Sequence, residues 1–162
     1  MATILLGLGE VAASSTAGDR LKAMALGSCV AVVIFDPAAN VVGMLHIVLP
    51  ESKIDILKSQ KQPGFFADTG IRALIDTMLG KGSNLGQKRR WLVKIAGGAA
   101  MQQVGGMDIG KRNVLSSKRL LWGHGLGPRA EDVGGHQSRT VSIDVGSSAV
   151  QIRGGGGELW EI

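Results

Sequence analysis

One cysteine, no tyrosine, three phenylalanines, three tryptophans and three histidines among 162 residues set the first limits on this chain. A single thiol closes no internal disulfide. The three histidines, His46, His124 and His136, stand with Cys29 at no recognised zinc-site spacing, so no metal or other cofactor is expected. No apolar run reaches bilayer-spanning length, and the first residues lack the basic start and small-residue cleavage site of a secretory signal. The expectation is a cytoplasmic protein without membrane insertion. Nucleic acid is not the expected partner, because Lys88-Arg89-Arg90 is the one dense basic cluster and no nucleic-acid motif accompanies it. The net charge of +5 then points to another acidic partner, and an acidic helical protein surface fits it.

What the chain has in quantity is glycine, 25 residues, about twice the usual share. The glycines cluster at the ends of candidate elements, which implies tight turns and close backbone approaches. With 44% hydrophobic residues drawn mainly from Val, Ile, Leu and Ala, the length suits one α/β or α+β domain over residues 1–153. Residues 154–162, four glycines followed by Glu158-Leu159-Trp160-Glu161-Ile162, read as a Gly-rich flexible tail or as a terminus whose Trp160 folds back.

The lone cysteine lies in Leu26-Gly27-Ser28-Cys29-Val30, where a glycine-containing turn meets an apolar run. A thiol there serves either as a small buried hydrophobe or as a nucleophile whose proton a base must take. The run Val30–Phe35, the turn residues Asp36–Asn40 and the run Val41–Leu49, stopped by Pro50, form a candidate β-hairpin. Pairing Phe35 with Asn40 sets Cys29 directly opposite His46 on one face, within reach of an imidazole; a slip of one residue would separate them.

Along the rest of the chain, Ile4–Ala12 imitates a dinucleotide fingerprint but runs into Ser14–Asp19 instead of a helix, so a single opening strand kinked at its glycines is the better account. The polar segment from Glu51 to Gly64 reads as an exposed loop, with or without a short helical turn. Apolar Ala67, Ile71, Leu74, Ile75 and Met78 recur at helical spacing over Phe66–Leu79. Trp91–Ala96 reads as a strand, Gly97–Met101 as close backbone packing, Ile109–Gly123 as a second helix, and Thr140–Arg153 as a second hairpin. His124 falls in a glycine-rich turn and reads as solvated.

Several separated segments resemble the chemoreceptor glutamine deamidase family CheD: Leu26-Gly27-Ser28-Cys29-Val30, Gly43-Met44-Leu45-His46, Leu49-Pro50, Phe66-Ala67-Asp68, Lys94–Ala99 with Met101, Ile109–Val114, and Asp132–Gly135 with Arg139. The likeness runs in order from about Ile4 to Arg153. It implies a layered fold with a β-sandwich-like core of mixed sheets and helices packed outside. It also implies an amidohydrolase that converts receptor glutamines to glutamate, with Cys29 as nucleophile and His46 as base. Gly27 and Ser28 would shape the site or its oxyanion hole, Ser28 serving equally as a turn residue. The family's third catalytic position, a threonine six residues before the cysteine, is Ala23 here; a backbone carbonyl, another side chain or water must then orient His46. Ala25 and Ala96 stand where the family pattern has glycine. The competing expectation is a non-catalytic chemotaxis module that keeps only a partner surface, for a receptor or for a CheC-type phosphatase.

Overall fold

The computed structural model describes residues 1–101 and 108–162. Its strands are β1 (Thr3–Leu6), β2 (Val11–Ser14), β3 (Arg20–Leu26), β4 (Val30–Asp36), β5 (Val41–Ile47), β6 (Leu92–Gly97), β7 (Ala130–Val133), β8 (Arg139–Asp144), β9 (Val150–Gly154) and β10 (Leu159–Glu161), and its α-helices are α1 (Ile56–Lys61), α2 (Ala67–Leu79) and α3 (Ile109–Gly123). The strands form two five-stranded sheets, ordered β1-β3-β8-β9-β10 and β2-β5-β4-β6-β7. Both are mixed, since β1 with β3 and β6 with β7 run parallel while the other neighbours run antiparallel. The α+β layered class expected from the sequence is the one observed.

Alternation along β4 and β5 builds the layers. Val30, Val32 and Ile34 with Leu45 and Ile47 face α2 and α3, whereas Ala31, Val33, Val42 and Met44 face Leu21, Ala23, Leu26, Val141 and Ile152 of the first sheet. The order is therefore sheet, sheet, helices, with no helix among the described residues on the outer face of the first sheet. On α2, Ile71, Leu74 and Met78 are fully buried, each worth about 1.5–3 kcal/mol of apolar transfer. Asp68 in its first turn accepts from the Ser52 backbone N–H at 3.0 Å and from Ser52 Oγ at 2.7 Å, tying the helix start to the chain after Pro50. The N-cap of α3 is Asp108, whose carboxylate accepts from the Lys111 N–H at 3.0 Å.

Four sequence expectations change. Ile4–Ala12 is not one kinked strand: β1 pairs with β3 in the first sheet and β2 with β5 in the second, so Gly7–Glu10 crosses between sheets. The hairpin closes on Asp36↔Val41, not on Phe35 and Asn40. Asp36 Oδ1 accepts from the Ala38 and Ala39 N–H groups and Asn40 adopts φ +54°, which moves the loop one position along the chain without changing its length. The segment after Pro50 is not a loop but holds 3₁₀ turns at Ser52–Ile54 and Pro63–Phe65 around α1. For residues 154–162 the flexible tail gives way to the folded-back terminus: Gly154 ends β9, a turn follows and Leu159–Glu161 is the edge strand β10. Trp160 packs against the inter-sheet core and its Nε1–H donates to Asp132. Among the described residues no helix is long and apolar enough to cross a membrane.

Candidate active site

The turn that carries Cys29 is moulded against the end of β6. Gly98 N–H donates to the Cys29 carbonyl at 2.8 Å and Ala99 N–H to the Gly27 carbonyl at 2.9 Å. Gly97 adopts φ +113°, and a Cβ there would lie 2.3 Å from the Cys29 oxygen, so a larger residue would displace the turn. Gly97–Ala99 is thus the close backbone packing its sequence suggested. Cys29 itself is half-buried at the margin of the inter-sheet core, and burial pushes its thiol up from 9.0 to about 11. Gly27 lies beneath the Met101 side chain.

His46 is buried on the same face of the second sheet. The hairpin register sets it opposite Ala31, so Cys29 lies one diagonal step away rather than directly across. Diagonal neighbours stand roughly 7–8 Å apart, still within reach of a long side chain. The slip from the expected register is two residues, which preserves the face. The crossover Gly7–Glu10 wraps the histidine: its N–H donates to the Glu10 carbonyl at 3.0 Å and its carbonyl accepts from Gly9 N–H at 2.9 Å.

The ring is oriented by the backbone. His46 Nδ1 lies 3.1 Å from the Leu6 carbonyl oxygen. A carbonyl only accepts, so Nδ1 carries the hydrogen and the lone pair resides on Nε2. Nε2 is buried with no hydrogen-bond partner among the described residues, Sγ of Cys29 included. Burial holds the imidazole below its ordinary 6.5, with the Leu6 bond acting in the opposite sense, so the resting ring is neutral. Leu6 is the register partner of Ala23. Of the three sources of orientation left open by an alanine at that position, the structure uses a backbone carbonyl.

Two residues were given no role from the sequence. Asn113, on α3 and fully buried, donates from Nδ2 to both the Ser28 and the Val48 carbonyls at 2.9 Å, bridging the open end of the hairpin beyond Val30↔Ile47. Its Oδ1 has no partner among the described residues. Arg139 donates from Nε to Asp132 at 3.0 Å and from Nη1 to the Gly134 carbonyl at 3.0 Å and the Gly97 carbonyl at 3.4 Å, bracing the glycines that hold the Cys29 turn. Both residues sit in segments that carry the family resemblance. His124 terminates α3, and His136 Nδ1 lies 3.2 Å from the Ala100 carbonyl; the structure brings neither to Cys29.

A neutral base with its lone pair enclosed, on the same face as a protonated thiol, can take that thiol's proton once a side-chain rotation brings the two together. Comparison with known proteins shows the family to which the chain is similar. The family profile described as CheD chemotactic sensory transduction matches residues 48–154. The chain is similar to a probable chemoreceptor glutamine deamidase CheD of Syntrophotalea carbinolica, 44% identical over 165 aligned residues that cover both chains completely. It is also similar to a probable chemoreceptor glutamine deamidase CheD of Solibacter usitatus, 39% identical over 96% of this chain and 91% of that one. The chemoreceptor glutamine deamidase CheD of Thermotoga maritima is 38% identical over 98% of this chain and 96% of its own length.

Proposed function

The chain belongs to the CheD family, and from that premise we propose that it deamidates glutamine side chains of chemotaxis receptors in the cytoplasm, with Cys29 as nucleophile and His46 as base. In this reading Nε2 of His46 takes the thiol proton as sulfur attacks the carboxamide carbon. The tetrahedral oxyanion is met by backbone N–H groups around Ser28 and Cys29. His46 passes the proton to the departing nitrogen and ammonia leaves a thioester. Water, deprotonated by the same Nε2, then attacks the thioester; the proton returns to sulfur and the product is a glutamate.

The observation that carries this reading is the Leu6 carbonyl on Nδ1, which leaves an enclosed lone pair on the side of the ring free to act as a base. The high thiol pKa does not oppose it: the proton moves when substrate arrives, so no resting ion pair is required. The same buried thiol favours the second reading, a binding module for a receptor or a CheC-type phosphatase without turnover. Receptor fragments incubated with the chain and with Cys29→Ala separate the two. Deamidation predicts ammonia release and the mass change of amide to acid with the native chain, both absent with the folded variant. Equal release from both sinks the thiol mechanism, and no release from either leaves the binding module.

A further inference from the structure

At the end of the hairpin where the Cys29 turn begins, the helix layer carries a surface that the chemistry above does not use. The residues that follow β5 and the outward side of α3 enclose a groove of about 380 Å³ walled by Pro50, Glu51, Arg112, Leu115, Ser116 and Arg119. It is joined to the site through α3. Ser116 Oγ donates to the Pro50 carbonyl at 3.1 Å, and Asn113, about one turn earlier, holds the carbonyl of Ser28, the residue before Cys29. Leu115 is 57% exposed although its helix buries Val114 and Leu121.

Charge and apolar area continue on both sides. After Glu51, residues Ile54, Ile56 and Leu57 are exposed and Lys53, Lys58 and Lys61 follow one another with a single acid, Asp55, which accepts the Lys58 N–H as a helix cap. On α3 there are four cations, Lys111, Arg112, Lys118 and Arg119, and no acid. Glu51 is held by Lys53 at 2.9 Å, with Arg112 and Arg119 close enough to act on its carboxylate, and Lys118 is held by Glu131 at 2.9 Å; cations still outnumber acids along these two segments.

We propose that this groove docks the substrate: an acidic amphipathic helix whose apolar stripe covers Leu115, whose carboxylates meet Arg119 and its basic neighbours, and whose glutamine is thereby presented to Cys29. The proposal rests on the deamidase reading and adds the substrate's chemistry to it. A nucleophile acting on one side chain touches little of a helix, so a second contact must select which glutamine is presented. Arg119 lies six residues beyond Asn113, about 9 Å along α3. An acid roughly two turns from the reactive glutamine therefore suits this spacing.

The test uses the full chain with Cys29→Ala, so that binding is read without turnover. The probe is a labelled helical peptide of about 20 residues, ~30 Å long, with a leucine stripe, one glutamine and glutamates two turns away. A second peptide carries lysines in place of the glutamates. The glutamate peptide is expected to bind more tightly than the lysine peptide, and less tightly as salt is raised. Arg119→Glu should weaken it about tenfold or more, and Leu115→Ser should weaken it without changing the salt dependence. Lys22→Glu makes the same charge change on the outer face of the first sheet, across the molecule from α3, and should shift affinity by less than about twofold. Equal losses for Arg119→Glu and Lys22→Glu, or equal binding of the two peptides, overturn the docking surface. Docking without ammonia release by the native chain would instead overturn the deamidase reading alone.

Discussion

His46 Nδ1 lies 3.1 Å from the carbonyl oxygen of Leu6, and Leu6 is the strand partner of Ala23. The group that orients the imidazole is thus a backbone atom beside the position where the family pattern places a threonine. Ala23→Thr adds two heavy atoms to a fully buried site between Leu21 and Leu26. Crowding there should cost about 1–3 kcal/mol of stability. Because Nδ1 already has its acceptor, kcat for ammonia release should stay within the same order of magnitude. Thermal melts and initial rates check both halves. A large gain in kcat would mean that the Leu6 contact does not hold the ring adequately.

Cys29 and His46, shifted in opposite directions by burial, each give the stability curve a limb, one on either side of neutrality. The folded chain keeps the Cys29 proton to about pH 11, against 9.0 when unfolded. Stability is then lost as pH rises between those values, by at most about 2–3 kcal/mol. His46 is shifted the other way: below 6.5 the unfolded chain takes up the proton first, so its contribution is present above that value and lost as pH falls. Denaturant melts across pH should show both limbs, and Cys29→Ser should flatten the alkaline one. With no tyrosine in the chain, thiolate absorbance can be followed without overlap from tyrosinate. A thiol titrating near 9 would contradict the burial described here.

Replacing Asn113 should loosen the open end of the hairpin. Asn113→Ala leaves the Ser28 and Val48 carbonyls without their donor in the interior, a cost of about 2–4 kcal/mol for two such groups. Asn113→Asp should be no better, because a carboxylate presents acceptors to acceptors. Well below the melting temperature, both variants should lower kcat more than they raise KM, since the turn that carries Cys29 and the strand that carries His46 lose their fixed spacing. A KM effect alone would reassign the residue to substrate binding.

Ala25 occupies the left-handed region at φ +54°, at the irregularity between Ala23 and Leu26 where β3 leaves register with β8. An L-residue there pays a steric cost that glycine avoids. Ala25→Gly should therefore stabilise the protein by up to about 1 kcal/mol, the unfolded-state entropy of glycine limiting the gain. Chemical denaturation at neutral pH measures it, and a loss of stability would show that the bulge relaxes around the alanine.

Legibility from sequence followed the physics of each element. The apolar runs around Asp36–Asn40 and the 3.6-residue spacing of Ile71, Leu74, Ile75 and Met78 gave the hairpin and α2, because burial on one face imposes those periods. The pairing of Cys29 with His46 was right in face and wrong by two residues in register. A face depends only on parity, whereas a register depends on how the Asp36 carboxylate caps the loop. The split of Ile4–Ala12 into strands of different sheets escaped notice because four residues are too few to show a period. The Leu6 carbonyl was not legible at all, since every residue has one. Asn113 meets partners 85 and 65 positions away, which no local pattern encodes.

The bond from Leu6 to His46 also joins one sheet to the other, since Leu6 belongs to β1 and His46 to β5. The aim of the imidazole therefore depends on the gap between two slabs that are held together mainly by apolar side chains. Warming or pressure that changes that gap by a fraction of an ångström would turn the ring before any strand lets go. The chain would then fall silent while still folded, with the ring's tether acting as a gauge of how closely the slabs sit.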